Sequence, residues 1–178
     1  RYRAEDSADG SIVDLRVFDP SRVDPAHWNR LVKRLRSVAL LDDPTSLKVL
    51  DLAVNADGNP PFVVLEWTDA PTLAHLKGIR EQTRFDSINL LISLVHGVGE
   101  AHKVGLYHGL LGPATIRLDG ETPKIDWTGL ELGGPVPTLP DLDAGFRPPE
   151  SSAPGFEPTA SADVFSLGVA LVWLVSGS

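Results

Sequence analysis

The apolar residues of this chain repeat with two different periods, and the period changes once, between Trp67 and Asp86. Before the change, short runs are apolar throughout or alternate apolar with polar residues, and both patterns predict β-strands. After it, apolar residues recur every three or four positions over longer stretches, as on the buried face of an α-helix. The sequence therefore predicts an α+β fold in which strands come first and helices follow.

The first 67 residues carry several strand signals and one helix signal. Apolar or alternating runs predict strands at residues 2–5, 13–18, 47–54 and 62–67. Between them, apolar residues at intervals of three and four predict one amphipathic helix. The residues of its apolar face are Trp28, Leu31, Val32, Leu35, Val38 and Ala39. The run Asn-Ala-Asp-Gly-Asn-Pro at residues 55–60 predicts the turn between the last two strands.

The remaining residues carry helix signals on both sides of a long loop. Asp86 is a suitable N-cap for a helix whose apolar residues are Ile88, Leu91, Ile92, Val95 and Val98. Residues 107–118 lack a regular period, and residues 131–158 are too rich in proline and glycine to be regular throughout. The run 161–175 is apolar on nearly all sides, which predicts a fully buried helix.

The charge and the cysteine content exclude several functions. The chain has 178 residues and a net charge of −8, which argues against a nucleic-acid partner and against membrane contact, because both need clustered Lys and Arg. The absence of cysteine excludes disulfides and thiol catalysis, and it favours a reducing, cytoplasmic location. The absence of methionine predicts that the chain is a segment of a longer protein.

Six short strings of the sequence belong together by their order and spacing. They are Val-Asp-Leu-Arg at 13–16, Asp-Pro at 43–44, Leu-Glu-Trp at 65–67, Ala-His-Lys-Val-Gly-Leu-Tyr-His at 101–108, Arg-Pro-Pro-Glu at 147–150 and Ser-Ala-Asp-Val-Phe-Ser-Leu-Gly at 161–168. Together they resemble a eukaryotic-type Ser/Thr protein kinase of the kind also found in bacteria. The resemblance implies a two-lobed fold, with an N-lobe at 1–67 and a C-lobe at 68–178. It also implies truncation at both ends, without the glycine-rich loop and the terminal helices.

Two arginines stand where the family binds the phosphates of ATP. The resemblance places Arg16 at the strand Lys that contacts the phosphates, and Arg34 at the helix Glu that holds this Lys. The planar guanidinium group is a poor substitute for a compact ammonium group. We expect the two arginines either to repel each other or to be exposed to solvent.

The catalytic loop and the metal-binding positions are also changed. Leu110 stands at the catalytic Asp, and it cannot accept a proton. Gly112 stands at the Lys that follows, and Thr115 at the magnesium-binding Asn. The resemblance places Trp127 at the metal-binding Asp of the Asp-Phe-Gly motif. A shift of one residue would put Asp126 there instead, as a metal ligand, a solvated carboxylate or a capping group.

A vestigial nucleotide pocket is the next implication of the resemblance. Its residues are Asp14, Leu65, Glu66, Thr68 and Arg117. Asp14 replaces a small residue above the adenine, and Arg117 replaces an apolar one below it. Because burying either charge unpaired is costly, we expect an Asp14–Arg117 pair that fills the pocket, or side chains that face water.

Three further residues have structural roles in the family. The resemblance implies that His108 packs in the core and that Asp163 accepts backbone hydrogen bonds from the catalytic loop. It implies that Glu150 pairs with an Arg of the terminal helices. We therefore expect Glu150 to be buried and unpaired here, and the apolar helix from Ser161 to expose part of its surface.

The sequence thus predicts a pseudokinase: a catalytically inactive regulatory or scaffolding module in signalling that needs no cofactor. Its expected partners are other proteins or neighbouring domains of the parent chain. One alternative is a degenerate Ser/Thr kinase that retains weak ATP and magnesium binding, or phosphotransfer, through Asp126. Another is a remnant without function.

Overall fold

The strands of the protein form one four-stranded antiparallel sheet and one small hairpin. The computed structural model describes residues 1–19, 25–53, 61–76, 84–128, 144–153 and 156–176. The sheet comprises β1 (Tyr2–Glu5), β2 (Ile12–Val17), β3 (Val49–Ala53) and β4 (Phe62–Glu66), in the order β1-β2-β4-β3. The four predicted strands are confirmed. The turn predicted at 55–60 lies outside the described residues.

The register of the sheet places two charged residues on its apolar face. Val63 and Leu65 in β4 are fully buried. Arg16 lies opposite Val63 and Asp14 lies opposite Leu65, and residues directly opposite each other share one face of a sheet. Asp14 and Arg16 therefore face the core side, where they need partners.

Helix α1 (Pro25–Ala39) packs against β3. It begins at a proline, whose missing N–H would have no partner at a helix start in any case. Val32, Leu35 and Val38 are buried at the predicted three-residue spacing. Arg34, next to Leu35, is buried with them. The predicted helix is confirmed.

Two long helices follow the sheet and pack against each other: α2 (Arg84–Lys103) and α3 (Ala160–Ser176). Between them lies a hairpin, β5 (Ile116–Asp119) and β6 (Thr122–Ile125), which the sequence analysis missed. Each strand has only four residues and the second contains proline, so the alternation is too short to detect. Single 3₁₀ turns lie at Leu73–Leu76, Ala144–Phe146 and Pro149–Ser152.

The last helix is not fully buried as its pattern predicts, and the exposed surface expected for it is present. Ala162 and Asp163 of α3 have no exposed surface, whereas Val164 is 62% and Val172 is 64% exposed. The described elements cover α3 on the side that meets α2 and the turn at 144–146, and none of them covers the other side. Within the described residues, no helix is both long and apolar enough to cross a membrane.

The segment between α1 and β3 joins the sheet to the rest of the molecule. Ile125 of β6 donates its N–H to the carbonyl of Thr45 (2.6 Å) and accepts one from Leu47 (3.0 Å). Gly97 of α2 lies so close that an added Cβ would be 1.7 Å from Thr45 Oγ1. The two hydrogen bonds of Ile125 fix the end of β6, and with it Asp126, relative to the sheet.

Candidate functional site

Arg16 is the centre of a buried charged cluster formed with Asp14, Asp126 and Thr128 (the Arg16 cluster). Its Nη1 and Nη2 donate to the two carboxylate oxygens of Asp126 at 3.0 and 2.8 Å. Nη2 and Nε also donate to Asp14 Oδ2, at 3.0 and 3.2 Å, and Nη1 donates to the hydroxyl of Thr128. The guanidinium group therefore has an acceptor in every donor direction.

The cluster keeps both Arg16 and Asp126 ionised. Burial lowers the pKa of Arg16, but the charge of Asp126 and the bonds to both carboxylates raise it above its ordinary value. Burial would likewise raise the pKa of Asp126, and the charge and hydrogen bonds of Arg16, with those of Thr128, lower it to about 2. Each charge is thus stabilised by its partner.

Both oxygens of the Asp126 carboxylate accept hydrogen bonds. Besides its Arg16 bond, Oδ1 accepts the backbone N–H of Thr128 at 3.0 Å and its hydroxyl, whereas Oδ2 accepts from Arg16. Magnesium requires oxygen ligands with lone pairs directed at the ion, and here both oxygens already bond to the cationic group of Arg16.

Arg34 is buried, so the expectation of two solvent-exposed arginines is wrong. The side chain of Arg16 is 13% exposed and Arg34 is 7% exposed. Arg34 Nη2 donates to the carbonyls of Tyr107 and His108 at 2.6 and 2.7 Å. Arg16 binds two carboxylates, whereas Nη2 of Arg34 binds two backbone carbonyls.

Trp127 packs in the core and does not face β2. It is 2% exposed, and its ring centroid lies 5.1 Å from that of His108. The guanidinium carbon of Arg34 lies 5.9 Å from the same ring, within the range of a cation–π contact. The structure places Asp126, not Trp127, against Arg16.

His108 is a neutral core residue. It is 1% exposed; its Nδ1 accepts the N–H of Leu110 at 3.3 Å, and its Nε2 donates to the carbonyl of Asp126 at 3.2 Å. Burial, followed by the charge of Arg34, lowers its pKa to about 4. The predicted packing of His108 in the core is confirmed.

Asp163 anchors the segment that begins at His108. It is fully buried; Oδ2 accepts the N–H of His108 at 2.8 Å, and Oδ1 accepts that of Gly109 at 2.6 Å. Nε2 of His102 also lies 2.8 Å from Oδ2. The predicted backbone contacts of Asp163 are confirmed, whereas the role of His102 was missed. Gly109 has φ 81°, and a Cβ there would lie 2.7 Å from Pro158, so only glycine fits.

The three changed loop positions bring no ionisable group to the cluster. Gly112 donates its N–H to Thr115 Oγ1 at 3.1 Å, and that hydroxyl bonds back to the Gly112 carbonyl. The carbonyl of Thr115 accepts the N–H of Asp126 at 2.8 Å. Thr115 therefore positions Asp126 through its backbone. Leu110 is half-buried and apolar.

Asp14 does not pair with Arg117, and that expectation is wrong. Asp14 Oδ2 accepts from Arg1 Nε at 2.8 Å and from Arg16. Arg117 Nη1 donates to the carbonyl of Ala70 at 2.9 Å. Burial, followed by the charge of Arg1, lowers the pKa of Arg117. Asp14 is instead part of the Arg16 cluster, because the sheet places both on one face two positions apart.

The other residues that the resemblance places in the nucleotide pocket, together with Trp67, contact groups of the protein itself. Leu65 is buried in the sheet. Glu66 Oε1 accepts from Lys124 Nζ at 2.8 Å, and Thr68 Oγ1 accepts the N–H of Ala70 at 3.0 Å. The ring of Trp67 is covered by Arg3, 5.4 Å from its centroid. Across the described part of the chain, no group of three or more His, Asp or Glu residues is arranged to hold a metal.

Glu150 is exposed, so the expectation that it is buried and unpaired is wrong. It lies in the 3₁₀ turn Pro149–Ser152, which contributes no buried side chain. Its carboxylate therefore remains hydrated and needs no partner.

Comparison with known proteins supports a kinase-like relationship over the whole chain. No protein-family model matches it. Serine/threonine-protein kinase PknK of Mycobacterium bovis is 28% identical over 185 residues, covering 99% of this chain and 16% of PknK, and PknK of Mycobacterium tuberculosis matches equally. CBL-interacting serine/threonine-protein kinase 21 of Arabidopsis thaliana is 27% identical over 97% of this chain and 42% of that protein. The chain thus spans less than half the length of these relatives.

Proposed function

We propose that these residues form a pseudokinase domain, a two-lobed kinase-like module that binds protein and transfers no phosphate. The N-lobe comprises residues 1–67 and the C-lobe residues 68–178. The observation that carries the proposal is the bidentate ion pair between Arg16 and Asp126. In this assignment the two stand at the phosphate-binding Lys and the metal-binding Asp of a kinase, and each neutralises the other.

The residues present do not fit a nucleotide with magnesium. Phosphoryl transfer depends on charges that hold the triphosphate and its metal ions, and on a group that orients the nucleophile. Here Asp126 is engaged by Arg16, Thr115 has a neutral side chain that bonds to its own turn, and Leu110 cannot act as a base. No phosphate-transfer step can be assigned to this arrangement.

The remainder of the site is retained for structure. Asp163 and His108 hold the loop in place through buried hydrogen bonds. A scaffold that keeps its internal supports without its reactive groups is suited to binding other proteins. Since the relatives are longer proteins, we infer that the partners are neighbouring domains of the same chain or separate proteins.

One observation favours the alternative of residual nucleotide binding. Asp126 is ionised, with its pKa lowered to about 2, and it lies opposite Arg16. If a nucleotide displaced Arg16, the carboxylate would be available for magnesium. The cost is the loss of a buried bidentate pair, which is strongly unfavourable when one partner is left alone.

A phosphotransfer assay tests the proposal. The protein is incubated with γ-labelled ATP, magnesium or manganese and a general protein substrate, beside an active Ser/Thr kinase as the positive control. We expect no transfer above background, with or without Leu110→Asp, because a base without bound nucleotide is idle. Transfer that disappears in Asp126→Ala would support the alternative.

A further inference from the structure

Two buried arginines from different elements reach the same region of the chain. Arg16 of β2 binds residues 126 and 128, and Arg34 of α1 binds residues 107 and 108. We propose that they form a two-arginine clasp, which holds β2 and α1 against residues 107–128 without nucleotide or metal. This rests on the proposed function and adds a regulatory consequence: the arrangement of α1 is fixed and does not respond to ATP.

The first arm of the clasp is the contact of Arg16 with Asp126 and Asp14, and it is charged on both sides. Arg16 and Asp126 are 110 residues apart in sequence and make two parallel bonds at 3.0 and 2.8 Å, the strongest geometry available to an arginine and a carboxylate. Asp14 supplies the second negative charge to the same guanidinium group. Since Asp14 is buried and the side chains of Arg16 and Asp126 are each only 13% exposed, solvent screens the attraction little.

The second arm of the clasp is the contact of Arg34 with residues 107 and 108, and it joins a charge to backbone carbonyls. Arg34 Nη2 reaches the carbonyls of Tyr107 and His108 at 2.6 and 2.7 Å. Such charge-assisted bonds are shorter and stronger than neutral ones. The bonded residues directly precede Gly109, and Asp163 accepts the backbone N–H groups of both His108 and Gly109. Arg34 therefore ties α1 to a segment that is itself fixed.

The two arms meet at Trp127 and His108. The Trp127 ring lies 5.9 Å from the Arg34 guanidinium carbon and 5.1 Å from the His108 ring. His108 Nε2 donates to the carbonyl of Asp126 at 3.2 Å. A displacement of α1 would thus disturb the residue that carries the first arm, so the two arms act as one unit.

Hydrogen exchange of the α1 backbone amides, read by mass spectrometry, tests the clasp in the purified protein that carries residues 1–178. Arg34→Met keeps the length and apolar stem of the side chain and removes its donors. We expect α1 amides to exchange about tenfold faster or more in this variant. Arg36→Ala is the matched control, because Arg36 lies on the same helix and is exposed. It should leave the exchange rates unchanged.

A charge swap tests the first arm. Arg16→Asp and Asp126→Arg each place two like charges together, so each single variant should lose protection in β2. The double variant restores opposite charges and should recover part of that protection. No recovery in the double variant would overturn the clasp, as would wild-type α1 exchange in folded Arg34→Met. If Arg34→Met does not fold, Arg34→Lys replaces it, with faster α1 exchange expected and wild-type rates contradicting the clasp.

The outcome with nucleotide separates the clasp from the proposed function. We expect ATP and magnesium to leave wild-type exchange unchanged. Slower exchange at residues 107–128 with ATP would contradict the absence of nucleotide binding, and α1 would still report on the clasp through Arg34→Met. Slower exchange of α1 itself with ATP would overturn the clasp, because α1 would then respond to the nucleotide.

Discussion

Asp126 and Asp163 are two aspartates of the site, one largely and one fully buried, and they have different kinds of partner. Asp163 accepts from two backbone N–H groups and contacts one histidine. Asp126 accepts from a guanidinium group on a distant strand and from Thr128 next to it. One carboxylate therefore supports the chain, and the other neutralises a charge. The proposed function assigns the first a structural role and treats the second as closed to a ligand.

Removing the supporting carboxylate should have the largest effect. Asp163→Ala leaves two buried N–H groups and His102 without their acceptor. Each unsatisfied buried group costs about 1–3 kcal/mol, so we expect a loss of about 4 kcal/mol in the free energy of unfolding. Urea denaturation measures it. His102→Ala, which removes a single partly exposed contact, is the control and should cost about 1 kcal/mol. Equal losses would contradict the supporting role.

Acid should destabilise the protein through His108. Its pKa in the folded state, about 4, lies below the ordinary value of 6.5. Keeping His108 neutral therefore contributes to the free energy of unfolding fully above pH 6.5. This contribution, about 3 kcal/mol, is lost as the pH falls toward 4. Denaturation at several pH values should show a steeper decline for the wild type than for His108→Gln. Parallel curves would show that His108 is not held neutral.

Removing the carboxylate of Asp126 should lower the free energy of unfolding less than removing that of Asp163. Asp126→Ala leaves Arg16 with Asp14 and Thr128, so its charge remains partly paired. We expect a loss of about 2 kcal/mol in urea denaturation. The double variant Arg16→Met with Asp126→Leu should lose less unfolding free energy than the sum of the losses in Arg16→Met and in Asp126→Leu. In the double variant neither of these two charges remains without the other. A loss larger than that of Asp163→Ala would reverse the comparison.

The smallest effect is expected at Glu150. Since this residue is exposed and its turn buries no side chain, Glu150→Gln should change the free energy of unfolding by less than about 0.5 kcal/mol. A loss above 1 kcal/mol would restore the sequence-based expectation that this carboxylate is buried.

Periodicity was sufficient to predict the main elements, because strands and helices bury residues at different intervals. The four strands of the sheet, α1 and the presence of two further helices follow from it. The expected N-cap at Asp86 is wrong, because α2 begins at Arg84, and Ile88, Ile92 and Val95 of its predicted apolar face are exposed. Periodicity does not show which side of α3 is exposed, since the sequence of a helix does not specify its neighbours. The β5–β6 hairpin was too short to give a periodic signal.

The site was predicted where the resemblance supplies a role and missed where the contacts are particular to this chain. The resemblance implies that Asp163 binds the backbone at His108 and Gly109, although these residues are 55 and 54 positions away. The acceptors of Arg34 are 73 and 74 residues away, and Asp126 is 110 residues from Arg16, so no local pattern shows these contacts. One signal was available for the register: Ile125 and Trp127 are apolar two positions apart and both buried, which directs Asp126 to the other side.

Calorimetric titration with ATP and magnesium tests the central claim, that Arg16 occupies the place of the ligand. We expect no heat of binding for the wild type, because the nucleotide would have to displace a buried bidentate pair. The same result is expected for Leu110→Asp, which adds a base without freeing Asp126. Micromolar binding that disappears with a chelator would contradict the claim. If Asp126→Ala also abolished that binding, Asp126 would be identified as the metal ligand.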